Sequence, residues 1–132
     1  MRPYVYTPKL ITYYMKTLIL GASDKPERYA YQALRLLRHY EHEVVAIGNR
    51  TTKVGDVAIH STPQNAVDID TITIYLRPDR QTAYYDYILS LQPRRIIFNP
   101  GAENAELEQK AQQNGIKTEN ACTLVLLRTG QY

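Results

Sequence analysis

Short β-branched apolar runs alternate with amphipathic stretches, the first run ends on a glycine, and later runs lead into turn-forming polar segments. These observations predict an α/β fold: a Rossmann-like three-layer sandwich with a mostly parallel central sheet, right-handed crossovers and helices on both faces. A chain of 132 residues holds one ordinary domain and can bury a core without disulfides or metals.

Residues 1–14 carry no continuous apolar stretch and no small-residue cleavage site, so they read as an extension ahead of a domain over 15–132, not as a signal peptide. Thr17 to Leu20 is an apolar run entering Gly21, as expected of a buried strand that ends in a loop. A helix should follow, capped by Ser23 or Asp24 with Pro26 in its first turn. Ala30, Ala33, Leu34 and Leu37 form its inward stripe, opposite Arg35 and Arg38.

Glu43 to Ile47 predicts the second strand, and Gly48 to Lys53 a polar loop at its carboxyl end. Val57 to His60 predicts a short strand, followed by a turn at Ser61-Thr62-Pro63 with room for one helical turn before Asp68. Asp70 to Leu76 is rich in β-branched residues and predicts a central strand. The helix after it places Tyr84, Tyr87, Ile88 and Leu91 on one face, and Pro93 closes the unit. Arg95 to Phe98 repeats the strand signal. Asn104 to Asn114 predicts a helix with Gly115 as its left-handed cap, Ile116 to Glu119 the last parallel strand, and Cys122 to Arg128 a short strand or helical turn docked on the domain.

Composition narrows the function. Charged residues make up 22% and hydrophobic residues 44%, the balance of a globular domain. The net charge of +3 is spread along the chain without a basic run, which argues against nucleic-acid binding and suits one polyanionic small ligand. The apolar runs are too short to span a membrane. A single cysteine, Cys122, excludes an internal disulfide framework and fits a reducing cytoplasm.

In an open parallel sheet, ligands bind beyond the carboxyl ends of the strands. That edge collects Gly21 to Pro26, Asn49 to Lys53, Arg77, Asn99 to Gly101, and Asn120 to Thr123. The opposite edge collects His39, His42, Asp68, Asp70, Arg94 and Arg95, expected to be solvated surface. Gly21 permits a sharp bend and close phosphate approach, and the amides of Ala22 and Ser23 with the next helix supply donors. A plain strand-to-helix turn would use the same residues.

The dinucleotide fingerprint would place glycines at 21, 23 and 26, where the chain has Gly21, Ser23 and Pro26. The acidic residue that would bind the ribose hydroxyls of NAD after strand two is replaced by Gly48-Asn49-Arg50. Arg50 or Lys53 suits an extra ribose phosphate, as in coenzyme A or NADP, unless they are ordinary solvated loop charges. Arg77 leaves a strand directly, where its guanidinium could meet phosphate or ribose.

Five ordered segments carry a family resemblance: Gly21-Ala22-Ser23-Asp24-Lys25-Pro26; Asn49-Arg50 with Lys53 and Gly55; Ile74-Tyr75-Leu76-Arg77-Pro78; Asn99-Pro100-Gly101; and Asn120-Ala121-Cys122. Over residues 16–132 the chain resembles the stand-alone CoA-binding domain family, which is similar to the amino-terminal domain of the succinyl-CoA synthetase alpha subunit. The resemblance implies that Gly21, Ala22 and Ser23, beside Pro26, hold the pyrophosphate of coenzyme A or an acyl-CoA. Asn49, Arg50 and Lys53 would surround the adenosine and its 3′-phosphate, and Tyr75, Arg77 and Pro78 would line the adenine side. Asn99, Pro100, Gly101, Asn120 and Cys122 would approach the pantetheine arm. The synthetase's active-site histidine belongs to a later domain, so ligase chemistry is not implied.

No catalytic residue or metal ligand is assigned. Cys122 either packs as a small thiol or exchanges disulfides with the CoA thiol. The leading expectation is a CoA-binding module, as sensor or carrier, with a homodimer or a larger enzyme partner left open. The alternatives are an NADP-binding oxidoreductase-like module and an interaction domain without ligand.

Overall fold

A computed structural model describes residues 15–132 and, ahead of them, the backbone of two strands, β1 (Tyr4–Thr7) and β2 (Leu10–Tyr13), which pair antiparallel in a sheet of their own. The rest of the extension read at residues 1–14 lies outside the described residues. The main sheet has seven strands: β3 (Thr17–Ala22), β4 (Val44–Gly48), β5 (Thr52–Val54), β6 (Val57–His60), β7 (Thr71–Ile74), β8 (Arg95–Phe98) and β9 (Lys117–Asn120). Their order is β5-β6-β4-β3-β7-β8-β9, parallel throughout except for β5, which runs antiparallel to β6.

The chain starts at the centre with β3, builds outward through β4 to β6, then returns to the other side of β3 with β7. This reversal is the topological switch point of a Rossmann-like sheet, and it opens a crevice at the carboxyl ends of β3, β4 and β7. Alternation along β3 divides the core. Leu18 and Leu20 point to one layer with Ile72, Ile74, Ile96 and Phe98, covered by Ile88 of α3 (Tyr85–Ser90) and Leu107 of α4 (Ala105–Gln113). Ile19 points to the other with Ala46 and Ile59, covered by Leu34 and Leu37 of α1 (Tyr29–His39) and Leu127 of α5 (Thr123–Arg128). Each fully buried Leu or Ile contributes about 1.5–3 kcal/mol.

Several expectations are corrected. The first helix begins at Tyr29, not in the Ser23 to Pro26 segment; its N-cap is Arg28, with no side-chain cap bond. Both proposed cap residues are engaged in the loop: Ser23 Oγ accepts the N–H of Lys25 at 3.0 Å, and Asp24 is paired with Arg50. The polar loop after β4 contains β5, because Gly55 takes φ +58° and turns the chain back against β6. Residues 61–70 form no helical turn. The helix after β7 is broken into α2 (Pro78–Gln81), a tight 3₁₀ turn at Thr82–Tyr84, and α3. At the break Gln81 is buried and donates to the carbonyls of Leu76 and Ala102, both at 2.8 Å.

The amino-terminal edge of the sheet also differs from expectation. His39 and Asp68 are exposed, but His42, Asp70 and Arg95 are buried. Asp70 carries a two-pronged ion pair with Arg94 (3.0 and 3.2 Å), and Arg95 donates to Thr71 Oγ1 at 2.9 Å while its guanidinium lies 4.4 Å from the centre of the Tyr132 ring. Asp70 is tolerated because it is paired and hydrogen-bonded, whereas Arg95 has a long contact to Glu119 (3.8 Å) and leaves its Nη2 without a hydrogen bond. Among the described residues, no helix is long and apolar enough to cross a membrane.

Candidate functional site

Two glycines shape the crevice. Gly21 has φ +94° and sits where the β3–β4 register slips between Leu20 and Ala22. A Cβ on Gly21 would lie 3.1 Å from both the Leu76 nitrogen and the Tyr75 carbonyl carbon, so only glycine lets β3 bend away there beside the end of β7. A Cβ on Gly48 would lie 2.4 Å from the Ala22 carbonyl oxygen, so the ends of β3 and β4 approach more closely than any side chain allows.

The crevice is an open cavity of about 670 Å³, within the range of small-molecule sites. Of the residues singled out from sequence, Gly21, Ala22, Ser23, Asn49, Arg50, Tyr75 and Pro100 line it. Pro26, Lys53, Arg77, Pro78, Asn99, Gly101, Asn120 and Cys122 are outside its lining. Lys53 is exposed on β5. Arg77 is exposed and meets Asp79 at 3.3 Å. Asn99 is buried and bonded to Thr73, Ile74 and Thr123, so its side chain is engaged in holding β7, β8 and α5 together. Cys122 is half-buried, at the N-cap position of α5.

The cavity also recruits two arginines that sequence reading missed. Arg28 and Arg80 line it with Lys25 and Arg50, against the carboxyl groups of Asp24 and Glu27, leaving an excess of positive charge. Two polar bridges mark its rim. Arg80 Nη2 donates to Asn49 Oδ1 at 2.9 Å, linking the β7 side to the β4 side, and Arg50 Nη2 meets Asp24 Oδ2 at 2.7 Å. Asp24 Oδ2 also accepts Thr52 Oγ1 at 3.0 Å. The Thr52 hydrogen bond and the Arg50 charge hold the Asp24 carboxyl below its ordinary pKa, against the opposing effect of desolvation. Tyr75 lines the cavity and packs on the α1 and α5 side of the core; burial raises its phenol far above the ordinary value, so it is a neutral wall.

A family model for the CoA binding domain matches residues 15–128. The chain belongs to that family. The NADP alternative finds no such support. No functionally curated protein matches the chain. Among solved structures, that of an uncharacterized protein superposes on this CoA-binding-family chain with a TM-score of 0.87 at 43% identity, covering 90% of this chain and 98% of that one. A hypothetical protein from Pyrococcus horikoshii OT3 superposes at 0.79 with 21% identity, over 88% of this chain and 83% of that one. The dinucleotide-forming acetyl-coenzyme A synthetase 1 of Ca. Korarchaeum cryptofilum, in complex with phosphate and ADP, superposes at 0.64 with 19% identity, over 82% of this chain and 26% of that one. At these last two identities the likeness is one of fold.

Proposed function

We propose that this CoA-binding-family protein binds coenzyme A or an acyl-CoA in the cavity at the carboxyl edge of its sheet. The observation that carries this reading is a net-positive cavity on the topological switch point of a chain matched to that family. The pyrophosphate would rest on the amides after Gly21, which no Cβ obstructs, and the 3′-phosphate beside Arg50. Arg80 and Arg28 add donors at the rim, and the pantetheine arm would leave past Pro100. Lys53 and Arg77 have no part in this arrangement. Binding in a reducing cytoplasm, with a partner or second copy using the bound thiol, completes the reading.

A thermal-shift series with CoA, acetyl-CoA, 3′-dephospho-CoA, NADP and NAD tests it. A ligand at about a hundred times its Kd stabilises the folded state by about 2.7 kcal/mol, a clear rise in Tm for a domain of this size. CoA should raise Tm more than NAD or NADP, and Arg50→Ala should reduce the advantage of CoA over 3′-dephospho-CoA. Equal shifts from CoA and NAD would end the proposal.

A further inference from the structure

Resting on that reading, we infer that Asp24 is a built-in stand-in for a ligand phosphate: it occupies Arg50 in the free protein and must release it before a phosphorylated ligand can be held. Asp24 stands in the loop between β3 and α1, and Arg50 follows β4, so their 2.7 Å contact spans the rim of the cavity that both residues line. One carboxylate oxygen, Oδ2, accepts from both Arg50 Nη2 and Thr52 Oγ1, a guanidinium and a hydroxyl converging on one anionic atom as they would on a phosphate oxygen. Thr52 itself lines the cavity. The anion is held on a firm base while its partner is loose: the Asp24 side chain is 23% exposed and that of Arg50 is 68% exposed. Arg50, the more accessible partner, can therefore turn to a ligand, whereas the carboxylate stays, and once Arg50 has left it the unmasked charge opposes a phosphate bound beside it.

Asp24 thereby sets a threshold. A ligand with a phosphate beside β4 must displace the internal carboxylate, and one without that phosphate leaves the ion pair intact. Exposed ion pairs of this kind are individually weak, so the threshold lowers affinity by a modest factor without blocking binding.

Asp24→Asn keeps an oxygen acceptor for Thr52 and removes the charge that competes for Arg50. Calorimetric titration of the intact protein should give Asp24→Asn an affinity for CoA about 3–10-fold higher than the unmodified chain, with less than a twofold change for 3′-dephospho-CoA. Equal or weaker CoA binding by a folded Asp24→Asn protein, checked by circular dichroism, would overturn the inference by making Asp24 a support for Arg50. Asp24→Ser is the second variant if the asparagine form does not fold, with the same expectation. Adenosine 3′,5′-bisphosphate, which carries the ribose 3′-phosphate without the pyrophosphate and pantetheine arm, is titrated in parallel and separates this inference from the CoA reading. If neither chain takes CoA, that reading fails, and the stand-in role is upheld by tighter adenosine 3′,5′-bisphosphate binding to Asp24→Asn or overturned by its absence.

Discussion

The side-chain oxygen of Asn99 accepts the backbone N–H of Thr123 at 2.9 Å, so a residue at the end of β8 satisfies the first amide of α5. Helix N-termini leave such amides unpaired, and here the partner comes from across the fold. The Asn99 amide group donates to Thr73 Oγ1 at 2.6 Å and to the Ile74 carbonyl at 2.9 Å, and Thr73 Oγ1 meets Thr123 Oγ1 at 2.7 Å. All three side chains are buried.

Asn99→Ala strands the Thr123 amide and takes one of two donors from the Ile74 carbonyl, which keeps the backbone N–H of residue 99 at 3.3 Å, in a place water reaches poorly. A loss of about 2–4 kcal/mol in urea-unfolding free energy is expected. Asn99→Asp keeps an acceptor for Thr123 but loses both donors, and should also destabilise. A loss below about 1 kcal/mol for the alanine variant would show that the network relaxes around the gap.

Gly48, in β4, and Gly101, in the turn after β8, are constrained in different ways. Gly48→Ala drives a Cβ to 2.4 Å from the Ala22 oxygen, against backbone that two parallel pairings hold in place, and should cost about 2–3 kcal/mol. Gly101→Ala meets nothing within 4 Å but is strained by φ +92°, a cost of about 1–2 kcal/mol. Chemical denaturation of both variants should rank Gly48 as the more sensitive; the reverse order would mean the ends of β3 and β4 separate easily.

The strand cores were legible because β-branched apolar runs survive burial on both faces with little ambiguity. The residues that line the cavity were only half legible. Gly21, Asn49 and Arg50 follow directly from where strands end, but Arg80 enters because Pro78 starts a one-turn helix that brings it back over Asn49, and no periodicity signals that. Turns were legible only where the residue type announced them. The residues two positions past α1, α3 and α4 all take positive φ, at Glu41, Gln92 and Gly115, yet only the glycine could be anticipated. The buried Asp70 and Arg95, with the half-buried Arg94, read as surface because charge suggests exposure, and their pairing appears only when β7 and β8 lie side by side.

His42 makes stability depend on pH. Its Nδ1 accepts the Met15 N–H at 2.8 Å, which requires a neutral ring, and burial, helped by the nearby Arg95 charge and opposed by Asp70, lowers its pKa from 6.5. The unfolded chain therefore takes up this proton first as pH falls. The stabilisation is complete above the unfolded value near 6.5 and is lost as pH drops through the lower folded value. Tm should decline below about pH 6.5, and the decline should be shallower in His42→Asn. Parallel pH profiles for the two chains would remove His42 as the source.

Arg80 and Arg77 are three residues apart and both highly exposed, yet only Arg80 lines the cavity and reaches across it to Asn49. Arg77 instead faces Asp79, with both side chains largely in solvent, where such a pair contributes little. On the proposed CoA reading, the Arg80 guanidinium would make charge-assisted hydrogen bonds to the ligand's phosphates that a neutral side chain cannot replace. Arg80→Ala should weaken CoA binding by about 5–30-fold in calorimetry, and log Kd should depend less steeply on salt because one cation is gone. Arg77→Ala should change Kd by less than about twofold. Asn49→Ala distinguishes contact from orientation: if Arg80 touches the ligand, losing its Asn49 partner costs less than losing Arg80 itself. Equal losses for Arg77→Ala and Arg80→Ala would extend the ligand's path beyond the cavity toward the exposed start of α2.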